Sequence, residues 1–337
     1  MRAVVFCEPN RFVVEDRPAP QIGEYDALVK VHACGICGTD IHILHGEHIV
    51  KFPVVPGHEF SGEVVEVGGK VSNVSVGDRV TVDPNIVDRS CHFCSRGEIN
   101  LCENLTALGV NYDGGFAGFC RVPTVQAYKV PDSVSLDEAA MAEPLACCIH
   151  GIDRANIAPG DTVVVLGAGS IGLLLTQLAR VAGASHIIVS EPDERKRHLA
   201  ARFGSDVQVD PSRWDVAAEV AEITRVGADV VIESAGRLET AQLAPRLARR
   251  GGTVLQFGVV SPDQLAEVSP YDIYYKELTV RGSFVNPFTH ARAIELLASK
   301  QVEVMPLITH RFPLDETAKA FETAQGKDAV KVLLVPE

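Results

Sequence analysis

Thr162-Val163-Val164-Val165-Leu166-Gly167-Ala168-Gly169-Ser170-Ile171-Gly172 is the stretch on which the fold turns. Thr162 and four apolar residues, β-branched-rich, run straight into G-x-G-x-x-G, and an apolar helical pattern over Ser170–Ala182 follows at once. A strand before the glycines and a helix after them is the context a phosphate-binding turn requires. Gly167 permits the tight turn, Gly169 lets backbone approach a pyrophosphate, and Gly172 allows the helix to pack closely on the strand. Ser170 and Ile171 then open a helix whose free N–H groups and positive dipole end suit an anion. The bland alternative is a glycine-rich turn with no ligand.

Reading outward from Gly172, strands and helices alternate. His186–Ser190, Asp229–Ile232, Thr253–Phe257 and Leu278–Arg281 read as strands, with a helix at Asp193–Phe203. That alternation predicts a parallel, doubly wound α/β sheet. Glu191 closes the second strand, 19 residues after Gly172. A carboxylate there accepts from a ribose 2′-OH and repels a 2′-phosphate, which favours NAD over NADP. Its bland alternative is a cap for the following helix. Arg195, Lys196 and Arg197 read as a solvated helix face.

The flanking sequence has another character. Residues 1 to about 145 carry short Val-rich runs (Ala3–Phe6, Ala27–Val31, Gly62–Val67, Arg79–Val82) between Gly, Pro, Asn and Asp turns, the pattern of a barrel or sandwich. A helix at Thr289–Ser299 and a strand at Val330–Val335 end the chain, so the tail is expected to pack back on the first lobe. The length of 337 residues suits two domains. They are read as 1–147 with 285–337, and 148–284.

Composition removes several function classes. The 31 basic and 44 acidic side chains give a formal charge of -13, the wrong sign for displacing counterions from nucleic acid. The most apolar stretch, Val163 to Leu178, is interrupted by three glycines and a Gln, so no membrane partner is expected. The opening MRAVVFCEPN shows no signal-peptide pattern, which leads to a cytoplasmic expectation. Nine cysteines in a reducing setting are core thiols, metal ligands or nucleophiles, and spacing must decide among these.

Cys37-Gly-Thr39-Asp-Ile-His42, Gly57-His58-Glu59 and Glu143-Pro144 offer sulfur, nitrogen and oxygen donors from separate segments. Three such ligands with a fourth position open describe a catalytic zinc. Singly, each has a dull explanation: Cys37 a core thiol, His58 a satisfied loop histidine, Glu59 a surface acid.

Together these motifs resemble the zinc-dependent medium-chain dehydrogenases, and within them the polyol (sorbitol-type) branch. The signature GHExxGxxxxxGxxV stands here as Gly57-His58-Glu59, Gly62, Gly68 and Val71. GICGTDIH at Gly35–His42, Glu143-Pro144-Leu145, GAGSIG and Thr309-His310-Arg311-Phe312-Pro313 follow in the family's order, across essentially the whole chain. The resemblance implies a Rossmann α/β domain plus a GroES-like β-barrel catalytic domain. It implies zinc at Cys37 and His58, with Glu59 or Glu143 as the further ligand and both left open. It also implies Thr39 taking the substrate proton, His42 ending that relay, and Lys331 touching the cofactor pyrophosphate. The reaction implied is oxidation of a small-molecule secondary alcohol by NAD, in a homodimer or homotetramer.

Cys91-x-x-Cys94-x₇-Cys102 resembles the family's structural zinc lobe, normally C-x₂-C-x₂-C-x₇-C. In that register the first position falls on Asp88, and a carboxylate can replace a thiolate on zinc. An empty lobe is the alternative; His92 lies one residue off register. Sorbitol-type relatives usually carry Tyr where this chain has Ile43, and an Arg-Tyr pair where it has Val285-Asn286. Fewer hydroxyl donors argue against sorbitol itself, with Phe119 expected as an apolar wall. L-threonine or 2,3-butanediol oxidation is the alternative chemistry. A non-catalytic NAD-binding structural protein is the rival of another class, and it has no need of Cys37, Thr39, His42, His58 and Glu143.

Overall fold

A computed structural model describes residues 1–47 and 50–336. The chain forms two compact units, Met1–Ala146 with Pro287–Glu337, and Cys147–Asn286. The second unit begins one residue earlier and ends two residues later than the sequence reading places it.

The second unit is a six-stranded parallel sheet in the order Val207–Val209, His186–Ser190, Thr162–Leu166, Ala228–Glu233, Ala248–Gln256, Thr279–Gly282. Numbered along the chain this is 3-2-1-4-5-6, the doubly wound Rossmann order, with its switch point beside Thr162–Leu166. Val163 to Leu166 are fully buried, as expected for a central strand covered on both faces. The register Leu166↔Ser190 and Leu166↔Glu233 brings three strand ends level where the glycines begin.

The first unit carries a mainly antiparallel seven-stranded sheet. Its longest pairing joins Asp26–Gly35 to Glu59–Val67, and Phe119–Pro123 also pairs with Asp26–Gly35. The tail returns here: Lys331–Val335 pairs antiparallel with Asp26–Gly35 and parallel with Ile308–Pro313. Aromatic packing holds the return in place. The ring of Phe321, on the helix Thr317–Gln325, lies 5.8 Å from Phe6 and 6.1 Å from Phe116, both edge-on. Such pairs contribute about 0.5–1.5 kcal/mol beyond their buried area.

This topology positions the site. Gly35 pairs with Glu59 on one side and with Leu333 on the other, so Glu59 and Lys331 meet across it. A Cβ on Gly35 would lie 2.2 Å from Glu59 Oε2 and 2.7 Å from Lys331 Cε. Only glycine leaves room for the two side chains to join. No helix among the described residues is long and apolar enough to cross a membrane.

Candidate functional site

Cys37 caps the helix Gly38–His45, and Asp40 closes the cap: its Oδ2 accepts the Cys37 N–H at 2.8 Å. This capping box fixes Cys37 at the end of the turn that follows Asp26–Gly35. His58 and Glu59 arrive on the neighbouring strand. Ligand atoms of Cys37, His58 and Glu59 all lie within 4.8 Å of one another. Glu143, at the start of the buried helix Ala142–Ala155, is not in this converging set. Geometry therefore brings Glu59 to the sulfur and the imidazole.

Asp40 is the residue the sequence reading overlooks. It is 0 % exposed, its Oδ1 accepts the Gly57 N–H at 3.3 Å, and the same oxygen lies 3.6 Å from His58 Nδ1. A carboxylate behind a ligating histidine orients the ring and raises its basicity. Its signal was available, because Cys37-x-x-Asp40 is a capping spacing. Burial works against a charged His58, yet Asp40 and Cys37 outweigh it and hold the imidazole well above its usual pKa. The field that attracts a proton attracts a cation equally. A thiol, an imidazole and a carboxylate brought together, the last two of them buried, form a donor set that zinc would satisfy.

Lys331 comes to the same cluster from the tail. Its side chain is 4 % exposed and its ammonium is bound to Glu59. Burial opposes its charge, but Glu59 and Cys37 raise its pKa overall. Thr39 Oγ1 lies 3.7 Å from Cys37 Sγ. His42 is one turn further along the same helix, with Nδ1 2.6 Å from Glu47 Oε2 at the surface. Cys34 is an inert core thiol, its pKa driven well up by burial and by Asp40. Ile43 is fully buried in the core, so this position does not face a substrate. Phe119 lines a cavity of about 760 Å³ with Met1, Arg17 and Tyr112, a lining that contains none of Cys37, His58 or Glu59.

The second cluster forms as the register predicts. Ligand atoms of Asp88, Cys91, Cys94 and Cys102 lie within 4.8 Å of one another, four donors suited to a closed tetrahedral zinc. His92 is outside this set, its ring against Phe93. The Asp88 carboxyl sits well below the usual range because the N–H groups of Cys91 and Ser90 and the Asn104 amide hydrogen-bond it. The N–H groups of Cys94 and Glu103 lower the Cys91 thiol, while burial and the sulfurs of Cys102 and Cys91 push Cys94 up to about 12.

In the α/β unit, Gly167 has φ +100° and Gly169 caps the helix Ser170–Val181, without a side-chain hydrogen bond at the cap. A Cβ on Gly172 would lie 2.0 Å from the Gly167 carbonyl, whereas one on Gly169 would meet nothing within 4 Å. The open side at Gly169 is the approach a pyrophosphate needs. Glu191 is 8 % exposed; its Oε2 accepts the Ala168 N–H at 2.7 Å and its Oε1 the Asp193 N–H at 3.0 Å. It therefore also braces the glycine turn. Arg197 bonds the Glu191 and Pro192 carbonyls and pairs with Asp210 at 3.3 Å, so it is not a free solvated cation.

Comparison with known proteins agrees with both units. Residues 23–132 match the alcohol dehydrogenase GroES-like domain and residues 170–299 match the zinc-binding dehydrogenase model. The chain is 37 % identical over 331 residues to a sorbitol dehydrogenase of Halalkalibacterium halodurans, covering 97 % of this chain and 96 % of that one. It is 33 % identical over 340 residues to D-arabinitol dehydrogenase 1 of Uromyces fabae, covering 100 % and 97 %. A Sinorhizobium meliloti 1021 protein described as a zinc-binding dehydrogenase, solved bound to NADP, superposes with a TM-score of 0.97 at 45 % identity over 99 % of both chains. With metal-type donors in one unit and a nucleotide-type turn in the other, this chain belongs to the zinc-binding medium-chain dehydrogenases.

Proposed function

We propose that the chain oxidises a secondary alcohol on a polyol or sugar-derived substrate, with NAD as acceptor. The observation that carries this reading is the convergence of Cys37, His58 and Glu59 beside the Thr39 hydroxyl. When bound, zinc would supply Lewis acidity towards the substrate hydroxyl and the nicotinamide a hydride acceptor. The protein's part is to hold and move the proton. Thr39 Oγ1 takes it, and His42, three residues on and on the same helix face, releases it to water. Glu47 holds His42 Nδ1, which leaves Nε2 for that release.

The polyol assignment draws on the sorbitol and D-arabinitol dehydrogenase relatives, and NAD on the Glu191 carboxylate. We also read the edge strand Thr279–Gly282, with Val280 exposed, as the contact between copies in a homodimer or homotetramer. A screen of polyols, vicinal diols, sugar acids and threonine with both dinucleotides, followed by nicotinamide absorbance, tests the reading. Turnover of polyols with NAD is expected. Activity on threonine alone overturns the substrate class, and preference for NADP overturns the role given to Glu191.

A further inference from the structure

The ligand of the Cys91 lobe that is not sulfur brings a requirement the cysteines do not have. A thiolate offers one donor atom and needs no orientation. A carboxylate offers two, and it can turn about its Cβ–Cγ bond to bind through either or both. In this chain Asp88 is not free to turn. Its Oδ1 accepts the N–H groups of Ser90 at 2.8 Å and Cys91 at 2.9 Å, and its Oδ2 accepts the Asn104 side-chain amide at 2.7 Å. The backbone donors sit on one oxygen and the side-chain donor on the other, so the plane of the carboxylate is fixed from both ends. Asn104 lies two residues after Cys102, so one loop carries both a ligand and the clamp. The Asp88 N–H itself points at Cys102 Sγ, 3.5 Å away, tying the two ends of the lobe together.

We propose that Asn104 is a positioning residue of this metal lobe: it holds the Asp88 carboxylate so that the aspartate completes the three-cysteine site through one fixed oxygen. Asn104 does not touch the metal. The two backbone N–H groups fill both lone pairs of Oδ1, whereas Asn104 fills one of Oδ2 and so fixes the direction of the other, the pair left for an ion. The lobe is thus a two-residue solution, Asp88 with Asn104, to the loss of the fourth thiolate. The proposal concerns the lobe alone and does not depend on the alcohol-oxidation reading.

The test uses the full chain and zinc as the probe. Bound zinc is counted by elemental analysis, and its release to a colorimetric chelator is followed in wild type, Asn104→Ala, Asp88→Cys and the double variant. The lobe's release phase is the one that Asp88→Cys alters, and dinucleotide binding checks that each variant is folded. Outer partners of metal ligands typically matter by about 10–100-fold in affinity. Asn104→Ala is therefore expected to speed the lobe's release by about that factor, and to change little in the Asp88→Cys background, where a thiolate needs no clamp. Equal acceleration in both backgrounds would mean that Asn104 supports the loop and not the carboxylate, which overturns the proposal. Unchanged release in Asn104→Ala overturns it too. So does a wild-type chain that holds one zinc, with no phase that responds to Asp88→Cys.

Discussion

At the scale of single residues, two buried groups set measurable behaviour. Asp40 meets the capped N–H of Cys37 and faces the ring of His58, so it supports two of the three donors at once. Asp40→Asn keeps the shape and removes the charge; zinc affinity at the Cys37 site should fall by about 10–100-fold. Metal content and kcat should drop together while dinucleotide affinity stays unchanged. His290 is the second case. It is fully buried, its Nε2 is 3.4 Å from Thr81 Oγ1, its ring packs 4.8 Å from Tyr128, and desolvation lowers its pKa to about 3. The folded chain keeps His290 neutral, whereas the unfolded chain takes up a proton below about pH 6.5. Stability is therefore whole above the unfolded pKa and is lost as pH falls from there towards the folded one. At about pH 5 the loss is roughly 2 kcal/mol. His290→Phe should remove that part, so melting curves at about pH 7 and pH 5 should differ less for the variant than for wild type. Legibility at this scale follows spacing and motif. Cys91 and Cys94 stood out by their spacing, whereas Cys37, His58 and Asp88 stood out through the family motifs they match. Asp40, Asn104 and the burial of Lys331 did not, because their roles are created by contacts between residues far apart in sequence or by a local cap that looks structural.

At the scale of elements, the glycine turn separates two kinds of close approach. Gly172 faces the chain itself, 2.0 Å from the Gly167 carbonyl if it bore a Cβ, while Gly169 faces open space. Gly169→Ala should therefore fold as wild type, with an unchanged melting temperature, and lose dinucleotide affinity because the added methyl occupies the ligand's approach. Gly172→Ala should cost about 1–3 kcal/mol of stability, since helix and strand must part to admit the methyl. Thermal melts and calorimetric titration with NAD distinguish the two outcomes; equal melting losses in both variants would contradict this assignment. The central strands were legible because β-branched runs bounded by glycine can be little else in an α/β alternation. Val207–Val209 and Ala127–Lys129 were not, being three residues long, and Phe119–Pro123 carries a single Val among Cys, Arg and Pro. The helix Ala142–Ala155 was hidden because its Pro and Gly read as breakers, although a first-turn proline is tolerated there.

At the scale of the whole molecule, the chain divides its chemistry between units that are not consecutive halves. Cys37, His58 and Glu59 belong to Met1–Ala146, Lys331 joins them from the tail, and the glycine turn lies in Cys147–Asn286. The tail's place in the first unit follows from hydrophobic packing of Phe321 against Phe6 and Phe116, not from proximity in sequence. Each unit has a buried core of its own, one around Phe60 and Phe116 and one around Val164 and Val231. Damage to one site should therefore leave the other's binding intact. Cys37→Ser removes the sulfur donor and keeps the cap, because the Cys37 N–H still reaches Asp40 and a serine Oγ serves the Asp40 N–H in place of sulfur. Losing Lewis-acid assistance costs several kcal/mol in the transition state, about a thousandfold or more in kcat. Calorimetry should then show NAD binding within about twofold of wild type, since the anchors proposed for the dinucleotide, Gly167–Gly172 and Glu191, belong to the other unit. Zinc content should fall by one atom per chain and leave the Asp88 lobe filled. Joint loss of NAD binding and turnover would show instead that the two units do not keep their binding independent.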